Sequence, residues 1–215
     1  MTRYFLISIK SILILSVGFL ASSVEGQTTD SGTKQEKTPA TAKPDDKEKT
    51  LDPITVSVAD DNLRFSATGT WKSVPPRSRM LEAELKIPRT GTDEEDGRLT
   101  IMGAGGSIEA NIDRWRMQFT QPDGSDTKEK TKVEKKTVSG QTVNMVDITG
   151  TFMDAVGGPF SGQPKVERKN YRMLAAIIQT EKDGNYFVKL YGPKATIDKN
   201  VDHFKKMIKS LKVAN

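Results

Sequence analysis

Asp183-Gly184 is the feature that most narrows what this chain can become. An Asp-Gly pair between two apolar runs is a strong hairpin signal, because turns there need backbone angles that Gly and Asp tolerate. The runs it joins are residues 171–180 (YRMLAAIIQT) and 186–191 (YFVKLY). The first is apolar on both faces in its middle, so it belongs at the centre of a sheet covered on both sides.

The neighbouring segments supply the rest of such a sheet and its covers. Leu81, Ala83, Leu85 and Ile87 alternate with Glu82, Glu84 and Lys86, which predicts a half-buried strand with its charges in solvent. Leu99 and Ile101 predict a short strand ending at Gly103. Ile108, Ile112, Trp115 and Phe119 step by 4, 3 and 4, the mark of a helix with one apolar stripe. Ser107 stands where its N-cap belongs, and Pro122-Asp123-Gly124 stops it. Residues 132–138 and 141–152, joined by Ser139-Gly140, read as a hairpin. Its first arm, KVEKKTV, has the lysines expected of a sheet edge. A loop is expected over residues 153–169. Finally Ile197, Val201, Phe204, Ile208 and Leu211 predict one closing helix with its lysines elsewhere. The order is strands, helix, four strands, helix. That is an α+β fold, a mainly antiparallel sheet covered by two amphipathic helices.

Only residues 53–215 have the composition of a folded domain. Arg3 and Lys10 precede an uncharged run, SILILSVGFLA, which is too short to span a bilayer and ends in small residues. Residues 1–26 are therefore expected to be a secretory signal peptide, cut after Ser23 or Gly26; an uncleaved membrane anchor is the alternative. Either way the remainder is expected outside the cytoplasm, in the periplasm or the extracellular space. Residues 27–52 hold Leu51 as their sole large apolar residue and read as a disordered tether. The formal charge is +5, with +1 in residues 1–26 and −1 in 27–52, which leaves +5 on residues 53–215. That excess aids solubility and attraction to anionic surfaces, and it is no nucleic-acid signature.

The chain has no Cys and one His. Disulfides, thiol nucleophiles and multi-histidine metal sites are thereby excluded, and any imidazole catalysis must use His203. The helical phase of His203 puts it off the apolar stripe, as a solvated residue. No cofactor motif or metal-ligand spacing stands out. The acidic loop Asp93-Glu94-Glu95-Asp96 does not match the calcium-loop spacing and reads as a solvated turn. The remaining candidate for a ligand is GAGGS before the first helix. Gly105, Gly106 and Ser107 could offer backbone amides to an anion, with Arg114 about two turns on as a partner. A flexible turn and helix cap is the competing reading. Arg168, Lys169 and Arg172 are possible companions of Arg114.

Several phrases together carry a resemblance: Trp71-Lys72 followed by Pro75-Pro76, GGSIEANIDRWRMQF (105–119), NYRMLAAIIQT (170–180) and YFVKLYGPKATIDKNVDHFKKMIKSL (186–211). They resemble a group of uncharacterised bacterial exported proteins, and the architecture is similar to the PsbP-like fold, an α/β/α sandwich. The resemblance implies a binding or assembly role and brings no catalytic motif. The expected function is thus an exported, non-catalytic domain that binds an envelope protein. A small-ligand carrier with a pocket between helix and sheet is the alternative, and a hydrolase using carboxylates or His203 comes third. No nucleic-acid partner is expected, and membrane contact only through an uncleaved signal.

Overall fold

The computed structural model describes residues 51–156 and 162–214. The expected signal peptide, and all of the expected tether except the exposed Leu51 and Asp52, lie outside the described residues.

In chain order the elements are β1 (Ile54–Val58), β2 (Leu63–Ala67), β3 (Lys72–Val74), β4 (Ala83–Ile87), β5 (Gly97–Ala104), α1 (Ile108–Arg116), β6 (Phe119–Thr120), α2 (Thr127–Lys130), β7 (Lys132–Val138), β8 (Gln141–Asp154), β9 (Val166–Gln179), β10 (Asn185–Pro193), α3 (Lys194–Lys199), α4 (Val201–Lys209) and β11 (Lys212–Val213). Eight strands form one sheet in the order β3-β4-β5-β10-β9-β8-β6, with β7 also on the outer side of β8. A second, three-stranded sheet runs β1-β2-β11. Every pairing is antiparallel, so the fold is α+β as expected.

The central strand explains the two-faced core. Along β9, Leu174, Ala176 and Ile178 point to one face, and Met173, Ala175 and Ile177 to the other. On the first face they meet Phe204, Met207 and Ile208 of α4, Ile197 of α3, and the small sheet through Leu63 and Phe65. On the second face Ile112 and Trp115 of α1 cover them. Each large apolar side chain buried this way contributes about 1.5–3 kcal/mol, which is why the two faces cannot do without covers.

Ser107 caps α1 as its position implies, accepting a hydrogen bond from the Ala110 N–H at 3.2 Å. The helix is shorter than its stripe suggests. Met117 closes it, and Phe119 enters β6, opposite Phe152 of β8. Ser139 and Gly140 both take positive φ, 48° and 77°, the mirror-image turn that suits a two-residue hairpin. Residues 180–184 turn β9 into β10, with Gly184 at φ 74° and its carbonyl accepting from the Thr180 N–H.

Three expectations change. The closing helix is two, α3 and α4, broken at Asn200. Its side chain donates to the Thr196 carbonyl at 2.8 Å and accepts from the Trp71 indole N–H at 2.7 Å. The loop expected over residues 153–169 shrinks, because β8 runs on to Asp154 and β9 begins at Val166. Lastly, β1, β2 and β11 build a small sheet that the sequence reading did not separate out.

The long β8–β9 pair carries an irregularity between Gly150 and Phe152. Gly150 has φ 152°, and a Cβ there would lie 2.6 Å from the Thr120 carbonyl oxygen. Gly150→Ala is therefore expected to cost about 2–4 kcal/mol in a denaturant melt, combining backbone strain with a clash against fixed backbone. A loss below about 0.5 kcal/mol would show that this bulge relaxes freely.

Candidate functional site

The residues expected to hold a ligand are placed together but already engaged. Gly105, Gly106 and Ser107 are exposed on the approach to α1, with Gly106 at φ 94°. The wholly buried Asn111 side chain donates to the carbonyls of Gly105 and Ser107, at 3.1 and 2.9 Å. Arg114 gives its guanidinium N–H to Asn111 Oδ1 at 2.6 Å. A shallow depression of about 370 Å³ adjoins them, lined by Gly103, Ala104, Gly105, Asp183, Gly184 and Asn185. The suggested companions of Arg114 lie elsewhere. Arg172 shares the first sheet face with Leu174, and Arg168 pairs with Glu95 and Asp154.

The acidic loop before β5 faces solvent, with Glu94 and Glu95 exposed, and three of its carboxylates also act as anchors. Asp93 accepts from the Thr196 N–H and hydroxyl, at 2.8 and 2.6 Å, and fixes the start of α3. Glu95 accepts from Arg168 and from the Tyr171 hydroxyl. Burial, with the Glu95 carboxylate next in weight, pushes that phenol well above its ordinary range. Asp96 takes Lys86 and the Arg89 N–H, which hold its carboxyl below the usual value. His203 is half-buried and lies edge-on to Trp71, with ring centroids 6.5 Å apart. Packing against an indole makes it less solvated than its helical phase implies.

On the first face of the large sheet, beyond the start of α3, lies a cationic depression of about 220 Å³. Lys130, Lys132, Thr149, Arg172 and Lys194 line it, with Asp147 as the one carboxylate. Arg172 is held in a fork: Nε and Nη2 donate to Asp147 at 2.9 and 2.7 Å, and Nη1 donates to Asp198 at 2.6 Å. The Asp147 hydrogen bonds, against the cost of burial, keep Arg172 firmly charged. Lys194 also binds Asp198, at 2.6 Å, and Lys130 lies 3.4 Å from Asp123. Lys132 has no ion pair among the described residues and stands exposed at the first position of β7. Asp147 and Asp198 thus fix Arg172 and Lys194 in place, while Lys130 and Lys132 stand exposed at the rim. From there β7 continues the surface: every residue from Lys132 to Thr137 is exposed, and among the described residues the strand pairs on one side alone, with β8.

A second polar row crosses the other face. The Glu84 side chain, placed in solvent by the alternation of its strand, is only 2% exposed. Its carboxylate accepts from Arg98 Nε and Nη2 at 2.7 and 3.0 Å, and Arg77 adds a backbone N–H at 2.9 Å and its guanidinium at 3.3 Å. Arg98 passes a third N–H to the Tyr191 hydroxyl at 2.7 Å. Next to Tyr191 along β10 comes Lys189, whose amine donates to Gln118 Oε1 at 3.1 Å. Lys189 and Arg172 each interrupt an apolar strand run, and that interruption is the sequence signal that could have marked both.

No protein-family model matches the sequence, and no curated protein matches it. Among solved structures the chain is similar to cyanobacterial PsbP (CyanoP) from Synechocystis sp., with 13% identity and a TM-score of 0.47 over 76% of this chain and 94% of that one. It is also similar to the Saccharomyces cerevisiae Ran-binding protein Mog1p, with 10% identity and a TM-score of 0.42 over 76% and 96% of the two chains. A mutant of Mog1 gives 10% and 0.44 over 77% and 97%. Among the described residues, no helix is long and apolar enough to cross a membrane.

Proposed function

We propose that the chain is an exported, non-catalytic binding domain that docks an acidic, extended segment of an envelope protein. The observation that carries this reading is the junction of the lysine-rimmed depression with the one-sided strand β7. An open strand edge can accept another strand through its backbone groups, while side chains decide which strand. Lys132, Lys135 and Lys136 repel a second copy of the same edge. The same charges attract an acidic strand, so specificity comes from repulsion and attraction together. Export rests on the charged, apolar and small-residue pattern of residues 1–26.

Calorimetry of the mature chain against a short synthetic peptide alternating Glu and Val tests this. Binding should weaken about tenfold or more in the double variant Lys132→Glu, Lys194→Glu, equivalent to about 1.4 kcal/mol. It should also fall steeply toward 1 M salt, where screening acts within about 3 Å. Equal affinity for both proteins would remove the proposal.

The open depression beside Gly105 and Asn185 favours a second reading, a small-ligand carrier using Gly105, Gly106, Ser107 and Arg114. Native mass spectrometry of gently purified protein should then show a retained small mass, lost in Arg114→Ala. A uniformly empty protein would count against it.

A further inference from the structure

The outer face of α4 carries lysines that the fold leaves unneutralised. A turn of about 100° per residue sets Phe204, Met207 and Ile208 into the core and puts Lys205, Lys206 and Lys209 on the opposite side with Asp202. These last four are exposed. The chain then passes Ser210, whose Oγ accepts from the Ser66 N–H at 2.8 Å, and enters β11. There the exposed Lys212 stands directly opposite the exposed Arg64 of β2, whose neighbours Leu63 and Phe65 are buried. Helix face and sheet face thus join as one cationic surface. None of its residues belongs to β7 or to either depression described above. Among the described residues, Arg64, Lys205, Lys206, Lys209 and Lys212 make no ion pair. Asp202 is the one carboxylate in α4, and Asp60 and Asp61 lie in the β1–β2 turn without pairing to Arg64 or Lys212. Lys205 and Lys209 repel as an i,i+4 pair, and Arg64 and Lys212 repel across the strands.

We propose that this face docks electrostatically on a bilayer rich in anionic phospholipid. A surface of fixed negative charge removes the repulsion among these cations and supplies the counter-charge that the chain does not. Lysine ammonium groups are point charges on flexible stems, so they follow phosphates in many arrangements, without the planar fork that arginine brings to one partner. No Phe, Tyr or Trp side chain is exposed among them to stack a base, which favours a lipid surface over a nucleic acid. The apolar stripe of α4 is packed in the core, so the helix does not insert and the contact stays peripheral and salt-sensitive. Each lysine near such a surface strengthens binding about fivefold.

The test is lysine acetylation of the full chain, mapped by peptide mass, with vesicles of phosphatidylcholine alone or mixed equally with phosphatidylglycerol. On the mixed vesicles Lys205, Lys206, Lys209 and Lys212 should react about fivefold or more slowly, while the exposed Lys128, Lys165 and Lys169 keep their rates. Phosphatidylcholine alone should give no protection. Salt near 1 M should erase it, since screening then acts within about 3 Å. The triple variant Lys205→Gln, Lys209→Gln, Lys212→Gln should lose about tenfold or more of the phosphatidylglycerol-dependent binding. Lys128→Gln, Lys165→Gln, Lys169→Gln removes the same net charge elsewhere and should spare it. Protection that is absent or even over all lysines, equal loss from the two triple variants, or equal protection by a soluble oligonucleotide would overturn the proposal.

Discussion

Glu84→Leu is expected to destabilise the fold by about 2–4 kcal/mol, read as a lowered denaturation midpoint at unchanged slope. Removing one partner of a buried ion pair leaves the other charge uncompensated, and that loss exceeds the net worth of the pair itself. Arg98 would keep the Tyr191 hydroxyl but lose both carboxylate bonds, while its side chain is only 25% exposed to water. Burial on its own would raise the Glu84 pKa; hydrogen bonds and charge from Arg98 and Arg77 outweigh it, and the net shift is downward. A carboxylate with a lowered folded pKa contributes fully above its unfolded value, near 4.3, and loses that contribution as the pH falls through the folded one. The stability gap between wild type and Glu84→Gln should therefore be flat at neutral pH and close below about pH 4. A variant as stable as the wild type at pH 7 would mean that Arg98 finds water as good a partner.

Trp71→Ala should be costlier still, about 3–5 kcal/mol, because it removes the largest fully buried side chain of the first core and leaves a cavity. Trp71 does more than fill space. Its indole N–H satisfies Asn200 at the break between α3 and α4. Trp71→Phe keeps most of the volume and loses that bond, so about 1–2 kcal/mol is expected. Hydrogen exchange should show α4 opening before α1 in the Trp71→Ala variant, since α1 packs on the opposite face. Uniform exchange in both helices would contradict the placement of Trp71 under the helix pair.

Much of this architecture was legible in the chain. The apolar run of β9, the turn at Ser139-Gly140 and the Ser107 cap depend on local chemistry, and local chemistry is what a sequence displays. Three features were hidden for a common reason: each depends on a partner distant in sequence. Glu84 looks like a solvent residue by alternation, and it is buried because Arg98 and Arg77 arrive from β5 and the β3–β4 connection. Asn200 carries no strong break signal until Trp71, 129 residues away, donates to it. The acidic loop reads as a solvated turn and nothing more until Thr196, Arg168 and Tyr171 close on it. The site divides the same way. The lysines of β7 were visible as an edge strand, but the depression needs Arg172 and Lys194 brought alongside.

Amide-resolved NMR titration of the chain with the Glu–Val peptide addresses the binding account most directly. Shifts concentrated on residues 130–138, Thr149 and Lys194, and abolished by Lys132→Glu with Lys194→Glu, are the predicted result. Shifts confined to residues 103–107 and 183–185, or none at all, would contradict it.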